Sequence, residues 1–451
     1  MRERLLRASR WLLPGLSIKR WFVVSLLGIA MLADAVDRWV VAQGAGWNVN
    51  ELLDGIVADY FPPGNLTWIL LLLGLLLLFA GTTFAVRGLF RAATARGSRG
   101  TVDALTGLRL REGYKVVAIG GGTGLSTLLR GLKRRTSNLT AIVTVSDDGG
   151  SSGRLTKELG VLPPGDIRNC LVALADDEAL VTDLFRYRFN EGEGLLGHSF
   201  GNIFLAAMTS VTGSFDRAIQ ESSRVLNIVG SVLPATLGRV CLCAELDDGS
   251  TVVGESQISL SKQPIARVFL EPSNVPAFEQ VIAAIRDADA IVLGPGSLYT
   301  SVLPNLLVDR VAREIAAARA VKIYVCNVMT QPGETTGMTA ADHVRALLAN
   351  AGERVCDYAI VNDEPPKRLL AAYAEEGQGP VVPDIDRVEQ LGLVPIPAAV
   401  ISEHENVRHD PDRLANVVFS VINRHVADRA TFVKLPSVRA RLKSEPARRP
   451  T

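Results

Sequence analysis

Two stretches of this chain end an apolar run on residues that leave backbone N–H groups uncovered, and clusters of that kind hold phosphate. Val116 to Ile119 stops at Gly120-Gly121-Gly122-Thr123-Gly124, after which Leu125, Leu128, Leu129 and Leu132 recur at helical spacing. Strand, glycine turn and helix follow in that order. With no side chains in the way, the turn's amides and the positive end of the helix face one point that an anion can approach closely. Gly294-Pro295-Gly296-Ser297-Leu298-Tyr299-Thr300 repeats the theme after a later apolar run, placing Gly294, Gly296 and Ser297 as the second half of one diphosphate cradle. The first loop is not a Walker A motif, because no Gly-Lys-Ser/Thr follows. It fits the dinucleotide fingerprint poorly, because Gly122, Gly124 and Thr127 put Thr where a third Gly or Ala belongs.

Between the two loops lie further polar clusters. Ser146-Asp147-Asp148-Gly149-Gly150-Ser151-Ser152-Gly153-Arg154 follows the second apolar run. Asp147 is placed to accept hydrogen bonds from a ribose; alternatively Asp147 and Asp148, with the hydroxyls of Ser151 and Ser152, hold Mg²⁺ beside a phosphate. In Leu162-Pro163-Pro164-Gly165-Asp166-Ile167-Arg168-Asn169 a rigid turn starts a helix. Asp166 reads as its cap, and Arg168 with Asn169 as contacts for an anion or a base edge. Gly197-His198-Ser199-Phe200-Gly201-Asn202 opens another helix from which His198 and Asn202 face the crevice, and Asn327 with Gln331 to Thr336 close it. His-Glu-x-x-His and kinase signatures are missing.

These clusters need a scaffold that brings strand ends to one edge. Residues 113–435 alternate strand and helix signals, with strands over Lys115 to Ile119, Thr140 to Val145, Val240 to Glu245, Thr251 to Gly254, Ile265 to Leu270, Ala290 to Leu293, Lys322 to Cys326, Tyr358 to Val361 and Val394 to Pro397. That alternation predicts a doubly wound α/β sheet whose ligands sit at the carboxyl ends of the strands. Asp247-Asp248-Gly249 predicts a hairpin inserted into the otherwise parallel sheet.

The 451 residues carry a net charge of +1 and 48% hydrophobic residues. The apolar excess lies near the front. Residues 67–86 are uncharged and long enough to span a bilayer; residues 21–41 are a second candidate, interrupted by Asp34, Asp37 and Arg38. Arg2, Arg4, Arg7, Arg10, Lys19 and Arg20 precede the first segment and Arg87, Arg91, Arg96 and Arg99 follow the second, while residues 42–66 hold no Lys or Arg. The pattern predicts a basic cytoplasmic segment 1–20, transmembrane helices 21–41 and 67–86 joined by an extracytoplasmic loop 42–66, a linker 87–112, the main domain in the cytoplasm and a basic tail 436–451. A cleavable signal over residues 1–35 is the rival account. The basic clusters lack interleaved aromatics, which argues for lipid or solvent over nucleic acid. Five cysteines, four of them in apolar runs, read as buried thiols.

Taken together, GGGTGLSTLLRGLK, SDDGGSSGRL, LPPGDIRNCLVALA, GHSFGN, LGPGSLYTSVLPNLLV, CNVMTQPGETTGMTA and DYAIVN resemble, in order and spacing, the bacterial gluconeogenesis factor (YvcK-like) family, relatives of the 2-phospho-L-lactate transferases (CofD). The resemblance covers residues 114–425. It implies a CofD-like three-layer α/β/α Rossmann-like fold, binding of a nucleotide sugar of the UDP-N-acetylglucosamine type, and regulation that links carbon metabolism to cell-wall synthesis and cell shape through protein partners. It also implies that Tyr373 and Arg408 contact uridine diphosphate. The alternative it carries is a Mg²⁺-dependent phosphotransferase using Asp147 and Asp148; an NAD(P) oxidoreductase is disfavoured by the imperfect fingerprint.

Overall fold

The computed structural model describes residues 17–42, 63–94, 110–175, 179–261, 263–403 and 406–433, in two compact units, Met1–Glu112 and Gly113–Thr451. Most of the expected basic start, extracytoplasmic loop and linker, and all of the expected basic tail, lie outside the described residues.

In the first unit, α1 (Ser17–Ala42) packs against α2 (Pro63–Thr94). The seam is built from small residues. A Cβ on Gly28 would stand 2.6 Å from the Leu78 backbone nitrogen, and one on Gly81 2.4 Å from Ser25 Oγ, so the two backbones touch where side chains are missing. Trp21 and Phe84 stack with ring centroids 4.3 Å apart, and Asp34 pairs with Arg38 at 3.0 Å. Among the described residues one stretch, Thr67–Arg87, is long and apolar enough to cross a membrane, with most of its side-chain surface facing outward. The expectation of two spanning helices is thereby corrected to one candidate, because the carboxylates and guanidinium near the end of α1 lower its hydropathy. A segment of this kind near an N-terminus serves as an anchor or as a signal. α2 also runs on to Thr94, past residue 87, where a linker was expected to begin.

The second unit holds β1 (Val116–Gly120), β2 (Leu139–Val143), β3 (Ser231–Pro234), β4 (Cys241–Leu246), β5 (Thr251–Val253), β6 (Ile265–Glu271), β7 (Ala290–Leu293), β8 (Val321–Val325), β9 (Tyr358–Asn362), β10 (Val394–Ala398), β11 (Ile401–Glu403) and β12 (Val407–His409). Seven form one parallel sheet in the order β10-β9-β8-β7-β1-β2-β3. Helices cover both faces, which is why β1 and β8 are buried at every residue and read as unbroken apolar runs. Of the helices that bear on the site, α3 (Gly122–Leu132), α5 (Gly165–Leu174), α7 (Phe200–Thr212) and α10 (Pro411–Val433) enclose one core layer with Val116, Ala118, Ala141 and Val143. α4 (Gly150–Leu159), α6 (Ala179–Arg186), α8 (Glu255–Leu260) and α9 (Leu370–Glu375) stand around the carboxyl edge and flanks. Val117, Ile119, Ile291 and Leu293 face the other layer with helices Glu279–Asp287, Val311–Ala317 and Ala340–Ala351.

The hairpin expectation is half right. Asp247-Asp248-Gly249 does join antiparallel β4 and β5, but β4 pairs along its other edge with β6, so the three make a separate sheet instead of entering the parallel one. Three short strands were not anticipated. β3 is an edge strand, where Pro234 is tolerated, and β11 with β12 form a three-residue ladder. All five cysteines are free and four are buried.

Candidate functional site

β1 lies between β2 and β7, and the chain leaves β1 in one direction and β7 in the other. That makes their carboxyl ends the switch point of the sheet, where helices diverge and a crevice opens. Both glycine turns sit there and touch. A Cβ on Gly124 would fall 2.5 Å from the Pro295 carbonyl oxygen and 2.9 Å from Gly296 Cα. Gly122 (φ +63°) and Gly294 (φ +77°) take left-handed backbone conformations that favour glycine. Asn305 pins the pair, donating to the Gly120 and Ser301 carbonyls at 3.1 and 2.8 Å.

The turns meet as expected, yet their amides are not bare. The Gly122 N–H donates to the carboxylate of Asp166, and the Gly296 N–H to Asn327 Oδ1 at 3.4 Å. Asp166 comes so close to the first turn that a Cβ on Gly121 would stand 2.4 Å from its Oδ2. The expected cap of α5 is therefore corrected: Pro164 is the capping residue, no side chain caps it, and Asp166 reaches across to the neighbouring strand's turn. Burial pushes the Asp166 carboxyl up to about 6; Gly122 and Asn169 oppose that shift, and Asp147 adds to it.

Asp166 has acidic company. Glu255, at the start of α8, accepts from Ser146 Oγ at 3.2 Å and is pushed well above the usual carboxylate range, first by burial and then by Asp147 and Asp166. Glu334 accepts from Thr300 at 3.2 Å and Ser259 at 3.3 Å, and burial raises it too. Asp147 accepts from the Gly149 N–H at 2.9 Å and lies against the start of α5, 3.2 Å from where a Gly165 Cβ would be. Asp148 turns away: it accepts from the Ser256 N–H at 2.9 Å in the first turn of α8. Asp147 and Asp148 thus serve different elements and do not fit Mg²⁺ as a pair, and among the described residues no three His, Cys, Asp or Glu side chains are grouped to hold a metal ion.

On the other flank Ser151, buried in α4, meets His198 Nδ1 at 2.9 Å and accepts from Asn202 Nδ2 at 3.1 Å, fastening α4 to α7. Ser152 packs against Gly165. His198 is held below the usual histidine range by burial and then by Arg154. Arg168 crosses the first turn of α7, which only Gly201 permits, since a Cβ there would be 2.7 Å from Arg168 Cδ. It donates to Ser199 Oγ at 2.5 Å and to Asn169 Oδ1 at 2.7 Å. Ser199 also caps α7, accepting from the Asn202 N–H at 3.3 Å. Replacing Ser199 with Ala should cost about 1 kcal/mol for the lost cap, with more for the stranded guanidinium, measured by urea unfolding.

Tyr373 and Arg408 stand apart from the glycine turns. Tyr373, on α9, packs with Val328, Met329, Ile401 and Val407, and its hydroxyl accepts from the Val407 N–H at 3.1 Å. It therefore holds β12, the strand that carries Arg408. Arg408 is exposed between buried Val407 and His409, and β12 runs against α3. Gln331 donates to Ser297 Oγ at 2.7 Å, bringing the loop after β8 onto the second turn as anticipated. Sequence reasoning missed Glu255 as a member of the crevice, and within the Gln331 to Thr336 segment it did not single out Glu334. The neighbours of Glu255 look like any short amphipathic segment, and only the fold brings it to this edge.

With the geometry in hand, the chain can be set beside known proteins. The family model described as 2-phospho-L-lactate transferase CofD matches residues 116–401. The gluconeogenesis factor of Bacillus subtilis is 51% identical over 68% of this chain and 98% of its own. A gluconeogenesis factor relative from Nostoc sp. is 50% identical over 417 residues, 91% of each chain. That alignment is longer than the unit Gly113–Thr451, so the relationship extends into the helical unit that precedes it. A crystal structure of a UPF0052 family member from Bacillus halodurans superposes with a TM-score of 0.66 at 49% identity, over 68% of this chain and 99% of that one. Parallel CofD-like sheet, abutting glycine turns and these identities agree: the chain belongs to the gluconeogenesis factor family of CofD-like proteins.

Proposed function

We propose that this chain binds a nucleotide sugar of the UDP-N-acetylglucosamine type in the switch-point crevice and acts as a regulator tethered to the membrane by Thr67–Arg87, passing the state of carbon metabolism to protein partners in cell-wall synthesis and cell shape. The observation that carries the reading is the contact of the two glycine turns between β1 and β7, with Asp147, Asp166, Arg168 and Asn169 on one rim. Such a crevice offers hydroxyl acceptors and phosphate donors side by side, which suits a sugar diphosphate. The membrane part of the reading rests on the length and composition of Thr67–Arg87.

A CofD-like phosphotransferase is the second reading, favoured by the family model that spans the whole crevice. One experiment separates them. The full chain in lipid nanodiscs is titrated with UDP-N-acetylglucosamine by calorimetry, and the mixture is followed by phosphorus NMR with Mg²⁺ present. Saturable heat with unchanged resonances supports the regulator; silent titration overturns the ligand assignment, and new phosphorus resonances turn the reading to the transferase.

A further inference from the structure

One loop fastens three separate walls of the crevice. It leaves the end of β8 and includes Asn327 to Thr336. Asn327 Oδ1 accepts from the Gly296 N–H at 3.4 Å and Gln331 Nε2 donates to Ser297 Oγ at 2.7 Å, which ties the loop to the second glycine turn. Thr330 meets Gly379 twice. Its N–H donates to the Gly379 carbonyl at 2.7 Å and its hydroxyl accepts from the Gly379 N–H at 2.9 Å, tying the loop to the segment that follows α9. Gly333 lies on the end of α8: a Cβ there would stand 2.2 Å from the Ser261 carbonyl oxygen, and its φ of +80° favours glycine as well.

Glu334 completes the arrangement. It is 7% exposed, although a long charged side chain on a loop ordinarily turns to water. Its carboxylate accepts from Thr300 Oγ1 at 3.2 Å, in the π-helical turn Leu298–Val302 that the second glycine turn opens, and from Ser259 Oγ at 3.3 Å on α8. Both donors are hydroxyls. Desolvating a carboxylate costs free energy that such bonds offset only in part, so an apolar side chain of similar size would fill this site at lower cost. What the carboxylate adds is direction. It ties the turn that lines the crevice to α8, whose first turn Asp148 already holds through the Ser256 N–H.

Building on the nucleotide-sugar reading, we propose that Glu334 is a positioning residue: from the loop after β8 it holds the second glycine turn against α8, in the position from which the turn receives the ligand. Glu334 acts through Thr300 and Ser259 and touches no ligand atom. The sheet sets the floor of the crevice, and this buried acid sets one wall.

The test uses the full chain in nanodiscs and compares wild type with Glu334→Leu, Glu334→Gln and Ser259→Ala. Without ligand, amide exchange followed by mass spectrometry should run about tenfold faster over residues 296–302 in Glu334→Leu, with β1, β7 and β8 as protected as in wild type. The same variant should bind UDP-N-acetylglucosamine about tenfold more weakly in calorimetry, without losing stability to urea. Glu334→Gln, which keeps an acceptor oxygen at the same reach, should restore most of both properties. A side chain that only fills space would give the reverse, with Leu at least as good as Gln. Ser259 is exposed, so Ser259→Ala folds whatever becomes of Glu334→Leu, and it should speed exchange over 296–302 about threefold. Exchange over 296–302 within a factor of about 1.5 of wild type in Ser259→Ala, or in Glu334→Leu where that variant folds, overturns the proposal. So does an unchanged affinity in a Glu334→Leu protein whose turn exchanges faster. If the exchange pattern holds while wild type binds no UDP-N-acetylglucosamine, the tie through Glu334 stands and the nucleotide-sugar reading fails.

Discussion

Asp166→Asn should make the protein more stable at pH 8 and leave it almost unchanged at pH 4. The carboxyl sits at about 6 when folded, against 3.8 for the free side chain. Between those values the folded state holds a proton that the unfolded state has lost, so stability falls as pH rises through about 6. A shift of that size corresponds to at most ~3 kcal/mol, and partial exposure reduces it to about 2 kcal/mol. An amide keeps the acceptor oxygen for the Gly122 N–H and carries no charge for Asp147 and Glu255 to repel. Urea unfolding at the two pH values measures the difference. A variant that is less stable than wild type at pH 8 would show that the ionised carboxylate earns its place through hydrogen bonds. A stabilising substitution, in contrast, identifies Asp166 as a group the fold carries at a loss, as expected of residues kept for ligands.

That carboxylate also marks the boundary of what could be read from the chain alone. The strands of the parallel sheet were legible because β-branched runs buried on both faces end abruptly at glycine, as Val116 to Gly120 do, and the same signal located both turns. Asp166 was misread because Pro-Gly-Asp at a helix start is locally a cap; that its side chain reaches Gly121 and Gly122 depends on α5 packing beside β1, a contact between distant segments. Asp147 and Asp148 look equivalent in sequence. They separate only because α8 offers the Ser256 N–H to one of them. The hairpin at Asp247 to Gly249 followed from local turn chemistry, but its sheet was decided by β6, which no local rule identifies as the partner. In the first unit composition revealed the apolar span, whereas the seam of Gly28, Gly74 and Gly81 needed the second helix to be seen.

The contact that closes the crevice gives the other large expected effect. Gly124→Ala should lower the stability of the second unit by about 2–3 kcal/mol, because the new methyl must be accommodated by backbone atoms on both sides of the junction. Its carbon would begin 2.5 Å from the Pro295 oxygen, 2.7 Å from the Pro295 carbonyl carbon and 2.9 Å from Gly296 Cα, none of which can rotate away as a side chain would. The turns have to part, and with them the groove. Gly122→Ala supplies the comparison: its methyl meets nothing nearer than Ser301 Oγ at 3.6 Å, so the cost is the left-handed backbone alone, about 1 kcal/mol. Denaturant unfolding of both variants should therefore rank Gly124→Ala as the more damaging, although the more unusual backbone belongs to Gly122. Affinity for UDP-N-acetylglucosamine should follow the same order, since the ligand spans a groove whose width the Gly124 contact sets. Equal stability of the two variants would mean that the turns yield independently, and the crevice would then owe its shape to the sheet instead of to the meeting of its two loops.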